Sequence, residues 1–146
     1  MTQYWLLKTE PSTYSIADLE REGRTTWDGV KNALALIHLR AMRPGDGLLL
    51  YHSGKEKAVV GRARVDSAPR TEETSTVVDV RFEAQLRRPV TLAALKAERD
   101  LAGLPLIRNT RLSVMPVTED EWEAVHRLAG AGGEEGQALP NISRKR

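Results

Sequence analysis

Short apolar runs separated by turn-forming residues dominate the chain. Runs of strand length lie at 4–8, 47–53, 59–66 and 76–84. In the last two runs apolar and polar residues alternate, so one face of each strand is expected in the core and the other towards solvent or a ligand. The links between the last three runs are too short for parallel crossovers, which predicts an antiparallel meander.

Capping residues and helical spacing appear between these runs. Ser15 with Asp18, and Thr118 with Glu121, have the spacing of a capping box. A further helix is predicted at 31–42, where the apolar set is wider than a single stripe, so much of this helix is expected to be buried. The weaker elements are a helix at 91–98, strands at 104–107 and 112–117, and a loop at 66–75.

These elements predict an α+β fold, a small mixed and mainly antiparallel β-barrel flanked by short helices. The predicted domain covers residues 1–130. Residues 131–146 are rich in Gly, Glu and Ala and end in three basic residues, which predicts a disordered C-terminal tail.

The composition narrows the class of protein. The chain has 146 residues and no cysteine, which excludes disulfides, thiolate metal sites and a cysteine nucleophile. Its start lacks the pattern of a secretory signal, and no apolar run approaches the ~20 residues that cross a membrane. We therefore expect a cytoplasmic protein that does not associate with a membrane.

The charge is nearly balanced along the chain. The net charge is +2, and residues 1–75 and 76–146 each hold eleven basic and ten acidic side chains. A protein that grips the duplex backbone without regard to sequence needs a dense cluster of cations. A protein that holds one nucleotide in a pocket needs far fewer.

Enzyme signatures are missing from the sequence. It contains no P-loop, GxGxxG, HExxH or GxSxG motif. The three histidines, His38, His52 and His126, lack the spacing of metal ligands. We expect no enzyme activity, no cofactor and no metal.

Trp27 is the aromatic residue best placed for a binding site. It stands between an extended segment and the Asp28-Gly29 turn, where an aromatic ring can be held at the mouth of a cavity. A planar base stacked on such a ring gains about 1–3 kcal/mol. Packing in the core is the alternative for Trp27, and capping of the helix at 31–42 is the alternative for Asp28.

Seven segments match, in order, those of the EVE domain, a branch of the PUA-like superfamily. They read YWLLKTEPSTYSIADL, TTWDGVKN, LRAMRPGDGLLLYHS, VVGRARV, VVDVRF, PVTLAALKA and TRLSVMPVTEDEWEAV. The matches span residues 4 to 125, so the chain resembles this family over most of its length.

The resemblance implies a PUA-like barrel with a pocket for a base flipped out of a nucleic acid. The expected function is to read, without catalysis, a modified base such as 5-methylcytosine or 5-hydroxymethylcytosine in DNA. A PUA-like module that binds RNA or tRNA, and an enzyme that acts on nucleosides, are the alternatives. The expected partner is a nucleic acid that carries a modified base, with DNA favoured over RNA.

Carried over by position, the resemblance places this pocket on fourteen residues. They are Lys8, Thr9, Glu10, Trp27, Asp28, Gly29, Val30, Asn32, Tyr51, His52, Ser53, Arg111, Leu112 and Ser113. Trp27 would stack on the base. The hydroxyls of Thr9 and Ser53, with the backbone of residues 28–30, would meet its Watson–Crick edge.

The same resemblance assigns a role to the cations. Lys8 and Arg111 would neutralise the phosphates that flank the base, each through a charge-assisted hydrogen bond. Arg62 and Arg64 project from one strand face and could extend this contact.

Overall fold

The computed structural model describes residues 2–130 and contains seven strands and five short α-helices. The predicted tail at 131–146 lies outside the described residues. The strands are β1 Tyr4–Thr9, β2 Arg24–Trp27, β3 Gly47–His52, β4 Ala58–Val65, β5 Arg70–Glu72, β6 Ser75–Thr91 and β7 Val114–Val117. The helices are α1 Ile16–Glu22, α2 Ala33–Ala41, α3 Leu92–Ala97, α4 Pro105–Arg108 and α5 Glu119–Leu128, with a 3₁₀ turn at Arg99–Leu101.

The strands form one mixed sheet in the order β2-β6-β4-β3-β1-β7, with β5 paired to β6 as a short extra strand. Only β1 and β3 run parallel, and every other pairing is antiparallel. The α+β class with a mainly antiparallel sheet and short flanking helices is therefore confirmed. The order is an open path that ends at β2 and β7, so the pairing does not close the sheet into the expected barrel.

The two parallel strands lie at the centre of the core. All six residues of β3 are buried, and so are Trp5, Leu6 and Leu7 of β1. Because neighbouring side chains on a strand point to opposite faces, burial of consecutive residues means that both faces of the sheet are covered here. β1 and β3 are therefore fixed more tightly than the strands at the sheet edges.

The buried carboxylate of Asp46 secures the start of both central strands. It is 3% exposed and accepts hydrogen bonds from the indole N–H of Trp5 at 3.0 Å and from the backbone N–H groups of Gln3 and Arg43 at 3.2 and 3.0 Å. A buried carboxylate is costly unless its oxygens are hydrogen-bonded. These three donors satisfy it, and they tie the turn before β3 to the residues around the start of β1.

Both predicted capping boxes are present. Asp18 and Ser15 exchange hydrogen bonds at the start of α1, and Glu121 and Thr118 do so at the start of α5. Each pair satisfies two of the backbone N–H groups that a helix leaves without partners. The local sequence therefore places both helix starts correctly.

The helix at 31–42 differs from its prediction. It covers Ala33–Ala41, and its N-cap is Asn32, whose side chain accepts from the Ala35 N–H at 2.9 Å. Asp28 is therefore not its cap. Only two of its residues are buried, Ala35 and Leu39, while Leu34 and Ile37 are 44% and 56% exposed. The wide apolar set indicated a buried helix, but only one side of it packs on the sheet.

Two short segments were also predicted wrongly. The strand expected at 104–107 is helix α4, which Pro105 opens at its first position, where a missing N–H costs nothing. The loop expected at 66–75 contains strand β5, which folds back on β6.

A glycine in β4 is needed because helix α1 packs directly on it. A Cβ on Gly61 would lie 2.5 Å from Ile16 Cδ1 and 3.0 Å from the Ala84 carbonyl oxygen. On Gly103 a Cβ would meet a single atom at 3.8 Å, an ordinary contact. The side chain of Ile16 thus approaches the backbone of Gly61 closely, whereas the surroundings of Gly103 have room for a methyl group.

Gly61→Ala is expected to lower the free energy of unfolding by about 1–3 kcal/mol, because the added methyl overpacks the contact with α1. Gly103→Ala is the matched control and should change stability by no more than about 0.5 kcal/mol. Urea denaturation of both variants measures the difference. Equal stability of the two variants would contradict the packing of α1 on β4.

Candidate functional site

A cavity of about 490 Å³ opens where β1 and β2 end. This volume lies within the ~300–1,000 Å³ typical of small-molecule sites. The residues that line it come from three stretches of the chain. They are Lys8, Thr9, Glu10, Thr13, Tyr14, Thr25, Thr26, Trp27, Asp28, Gly29, Val30, Lys31 and Ser113.

The floor of the cavity is held by the backbone at the end of β1. Ser53 N–H donates to the Thr9 carbonyl at 2.9 Å, and Lys8 N–H donates to the Ser113 carbonyl at 2.9 Å. On the far side of the turn, Thr13 N–H and Tyr14 N–H both donate to the Glu10 carbonyl at 2.9 Å. These bonds fix residues 8–14 on buried β-structure before any ligand is present.

Two aromatic rings form one corner of the cavity. Trp27 and Tyr14 meet edge to face, with ring centroids 5.9 Å apart and an angle of 84° between the planes. This geometry is favourable because the positive edge of one ring faces the negative face of the other. Trp27 is only 9% exposed and belongs to the core, so it both packs and lines the cavity.

The phenol of Tyr14 is held in its protonated form. Its O–H donates to Glu22 Oε1 at 2.6 Å. Burial, and then this hydrogen bond, raise the pKa of Tyr14 to about 12 from an ordinary value of 10.0. The hydrogen bond fixes the ring that supports Trp27.

Hydroxyl groups give the cavity much of its polar character, and two of them already donate. Thr9 Oγ1 donates to the Tyr14 carbonyl at 2.8 Å, and Thr26 Oγ1 donates to Asp79 Oδ1 at 2.8 Å. Each oxygen keeps acceptor capacity, since a hydroxyl carries two lone pairs. Thr9 therefore meets a ligand as an acceptor unless its present hydrogen bond is exchanged.

The cavity carries two cations and two anions. Lys8 Nζ donates to the Thr110 carbonyl at 2.5 Å, and burial lowers the pKa of Lys8 below its usual value. Lys31 is exposed and, within the described part of the chain, forms no ion pair. Glu10 and Asp28 are the anions. The site thus combines an aromatic corner, hydroxyls and balanced charge.

The structure brings eight of the fourteen residues predicted for the site to this cavity. They are Lys8, Thr9, Glu10, Trp27, Asp28, Gly29, Val30 and Ser113. The remaining six do not line it, each for a structural reason.

Three of the six belong to the end of β3. Tyr51 is 3% exposed, and burial raises the pKa of its phenol. His52 is 5% exposed; its Nε2 accepts from the Ile16 N–H at 3.1 Å, and its Nδ1 lies 2.7 Å from Glu56 Oε1. Ser53 Oγ donates to the Thr9 carbonyl at 3.3 Å and is not among the residues that line the cavity.

The other three lie on α2 or on the loop before β7. Asn32 caps α2, and Leu112 is buried in the core. Arg111 is exposed, and its backbone N–H donates to Asn109 Oδ1 at 3.2 Å. Among residues 2–130 its guanidinium forms no ion pair, so it does not pair with Glu10.

Arg62 and Arg64 are not free to extend the site. Their Nε atoms donate to the two oxygens of Glu83, at 2.9 and 2.8 Å, and Arg64 also donates to the Gly45 carbonyl at 3.0 Å. One carboxylate thus holds both guanidinium groups.

Five lining residues were missed by the sequence reasoning: Thr13, Tyr14, Thr25, Thr26 and Lys31. Thr26 and Lys31 are adjacent to predicted residues, and the other three lie within four positions of one. The signal for Tyr14 was its position within the first matching segment, in a chain with few aromatic residues.

Neither a metal site nor a membrane span was found where the structure describes the chain. No cluster of three or more potential metal-binding side chains occurs within residues 2–130. The described helices are also all too short to cross a bilayer.

Fold and cavity together define a small α+β domain with a mixed sheet and a partly aromatic pocket. The EVE domain family model matches residues 3–128, and the chain belongs to this family.

Solved structures show the same architecture. An NMR structure of a Rhodopseudomonas palustris protein is 36% identical, with a TM-score of 0.87, and the match covers 94% of this chain and 100% of that one. The crystal structure of human THYN1 protein in complex with 5-methylcytosine-containing DNA is 28% identical, with a TM-score of 0.82, over 92% of this chain and 98% of that one. Thymocyte nuclear protein 1 of chicken is 30% identical over 164 residues, covering 86% of this chain and 68% of its own length.

Tyr14 is expected to release its proton near pH 12, against 10.0 for an unperturbed tyrosine. The folded protein keeps the proton longer than the unfolded chain does. This group therefore favours the folded state below pH ~10, and its contribution disappears as the pH rises towards 12. Tyrosinate absorbance of the wild type minus that of Tyr14→Phe isolates the titration.

Glu22→Gln tests the cause of this shift. Loss of the carboxylate should move the pKa of Tyr14 back towards its ordinary value, although burial keeps part of the shift. A Tyr14 that titrates near 10 in the wild type would show that the phenol is not held by Glu22.

Proposed function

We propose that this protein is a non-enzymatic reader of DNA that holds a modified cytosine, 5-methylcytosine or 5-hydroxymethylcytosine, in the cavity between Trp27 and the end of β1. The observation that carries the proposal is the likeness to the human THYN1 protein, solved in complex with 5-methylcytosine-containing DNA. DNA is proposed before RNA because DNA is the partner in that complex.

We keep the cytoplasmic location as a prediction.

The cavity suits a single planar base better than a stretch of backbone. It has an aromatic corner for stacking, and a base cannot reach such a cavity while it is stacked in a duplex. Extrusion of a base from the duplex costs a few kcal/mol, and stacking of that base on an aromatic ring offsets about 1–3 kcal/mol of this cost. The remainder has to come from hydrogen bonds to the base and contacts to the flanking phosphates.

The cations near the cavity support a small phosphate contact. Lys31 and Arg111 are exposed and without ion-pair partners among residues 2–130, so they can meet phosphates at little cost. Lys8 already donates to the Thr110 carbonyl and would have to exchange that bond. We therefore assign the phosphate contacts to Lys31 and Arg111 before Lys8.

Binding without catalysis agrees with how the ionisable groups are used. The histidine predicted at the site, His52, engages both ring nitrogens, one with the Ile16 N–H and one with Glu56. It is thereby committed to holding the start of α1 and does not serve as a general base in the cavity. Recognition of the methyl group adds only about 0.8 kcal/mol, so selectivity depends on shape and on a few polar contacts.

Trp27→Leu should weaken binding to a 5-methylcytosine-containing duplex by about 1–3 kcal/mol, because leucine fills space but offers no ring for stacking. Alanine is unsuitable here, since truncation of a buried tryptophan costs about 3–5 kcal/mol of stability. The measurement is fluorescence anisotropy with a labelled duplex, well below the melting temperature of the variant.

Trp5→Leu is the matched control. Trp5 is 7% exposed, belongs to the same core and lies outside the cavity lining. It should lose stability but retain wild-type affinity for the duplex. If both variants lose affinity equally, the loss comes from the core and the stacking role of Trp27 is wrong.

A further inference from the structure

Glu10 is an exposed residue of the cavity whose carboxylate nevertheless contacts neighbouring residues. Its Oε1 accepts from the backbone N–H and the hydroxyl of Ser12, at 3.4 and 3.2 Å. The group also packs over Gly54, where an added Cβ would lie 2.6 Å from Oε2. Ser12 and the close backbone of Gly54 therefore restrict where this exposed carboxylate lies.

The backbone of Glu10 is anchored as firmly as its side chain. Its carbonyl accepts the N–H groups of Thr13 and Tyr14, and the preceding residue, Thr9, is paired with His52 at the end of β3. A polar group on such a rigid support loses little entropy when a ligand binds, which favours a role in specificity.

Asp28, the second carboxylate of the cavity, lacks this support. It lies between Trp27 and Gly29, whose φ is +76°, in an exposed turn. Its side chain forms no ion pair with any residue in 2–130. Of the two carboxylates that line the cavity, only that of Glu10 accepts hydrogen bonds from residues in 2–130.

The chemistry of a carboxylate determines which base it can read. An ionised carboxylate only accepts hydrogen bonds. Cytosine offers a donor, its exocyclic N4 amino group, at the position where thymine has the acceptor O4. Both hydrogen bonds from Ser12 go to Oε1 of Glu10. Among residues 2–130 no group donates a hydrogen bond to Oε2, so this oxygen can accept one from an amino group of a bound base.

We propose that Glu10 accepts a hydrogen bond from the exocyclic amino group of the bound base, so that the cavity selects cytosine-type bases and rejects thymine even though thymine carries the same 5-methyl group. This inference rests on the proposed function and adds to it the residue, Glu10, that selects which base the cavity binds. Ser12 is a positioning residue that orients the carboxylate.

The test uses four duplexes that differ only at one position, occupied by cytosine, 5-methylcytosine, uracil or thymine. The target faces an abasic site, so that extrusion breaks no base pair and costs nearly the same in each duplex. The preference for 5-methylcytosine over cytosine, and for thymine over uracil, measures the response to the methyl group. The preference for 5-methylcytosine over thymine, and for cytosine over uracil, is here called the amino preference. It measures the exchange of the N4 amino donor for the O4 acceptor, together with the accompanying change of N3 from acceptor to donor.

The wild-type protein is expected to bind the amino-bearing member of each pair roughly tenfold more tightly or better, the discrimination of one good polar contact. In Glu10→Gln the amide both donates and accepts, so the amino preference should fall to about twofold or less. Asp28→Asn makes the same chemical change at the unsupported carboxylate and should leave the preference intact. Thermal melts establish that both variants are folded.

The outcomes separate this inference from the proposed function. An amino preference of the wild type that disappears in Glu10→Gln and persists in Asp28→Asn supports the role of Glu10. No amino preference in the wild type, or an amino preference that persists in Glu10→Gln, overturns that role. Absence of a methyl preference, with the amino preference retained, contradicts the reading of modified bases and leaves the role of Glu10 in place.

Discussion

The pairing of β1 with β3 on one side and β7 on the other is the constraint on which the rest of the structure depends. β1 is short, yet its register is set by six residue pairs with β3 and four with β7. Its apolar residues are buried on both faces, so a shift by one position would move Lys8 into the core. The end of the strand, where the backbone turns into the cavity, is therefore fixed in space.

From that fixed end the cavity is assembled out of distant parts of the chain. The first part is residues 8–14, which comprise the end of β1 and the turn after it. The second begins at the end of β2, an edge strand that ends at Trp27, and the third is Ser113, directly before β7. His52 connects these parts, because it ends β3 and accepts the first N–H of α1, the helix that follows Tyr14. The rigidity of the core is thus transmitted to the aromatic corner and to Glu10, although both lie near the surface.

The helix caps depend on local sequence and could be predicted, whereas the exposed side of α2 depends on tertiary contacts and could not. The capping boxes at Ser15 and Thr118 are complete within four residues, so pattern alone identified both helix starts. The exposure of Ile37 on α2 was missed, because hydrophobicity states what a side chain prefers and not which side of a helix meets the sheet.

For the candidate site, motif matching identified segments that line the cavity, but it did not give the direction of every side chain. Ser53 directly follows β3, the strand that pairs with β1 and therefore with Lys8. Its hydroxyl, however, donates a hydrogen bond to the Thr9 carbonyl. Tyr14 lines the cavity because the turn at 10–14 brings its ring against Trp27, a contact between residues in different elements. Such contacts become visible only when the strands are placed side by side.

We propose that the cavity at the end of β1 holds a base extruded from DNA. A crystal structure of the protein bound to a duplex with a single 5-methylcytosine tests this most directly. We expect the modified base outside the helix, with its ring stacked on Trp27 and its 4-amino group within hydrogen-bond distance of Glu10. A complex in which the base stays paired, and the DNA contacts the protein elsewhere while the cavity holds no base, would contradict it.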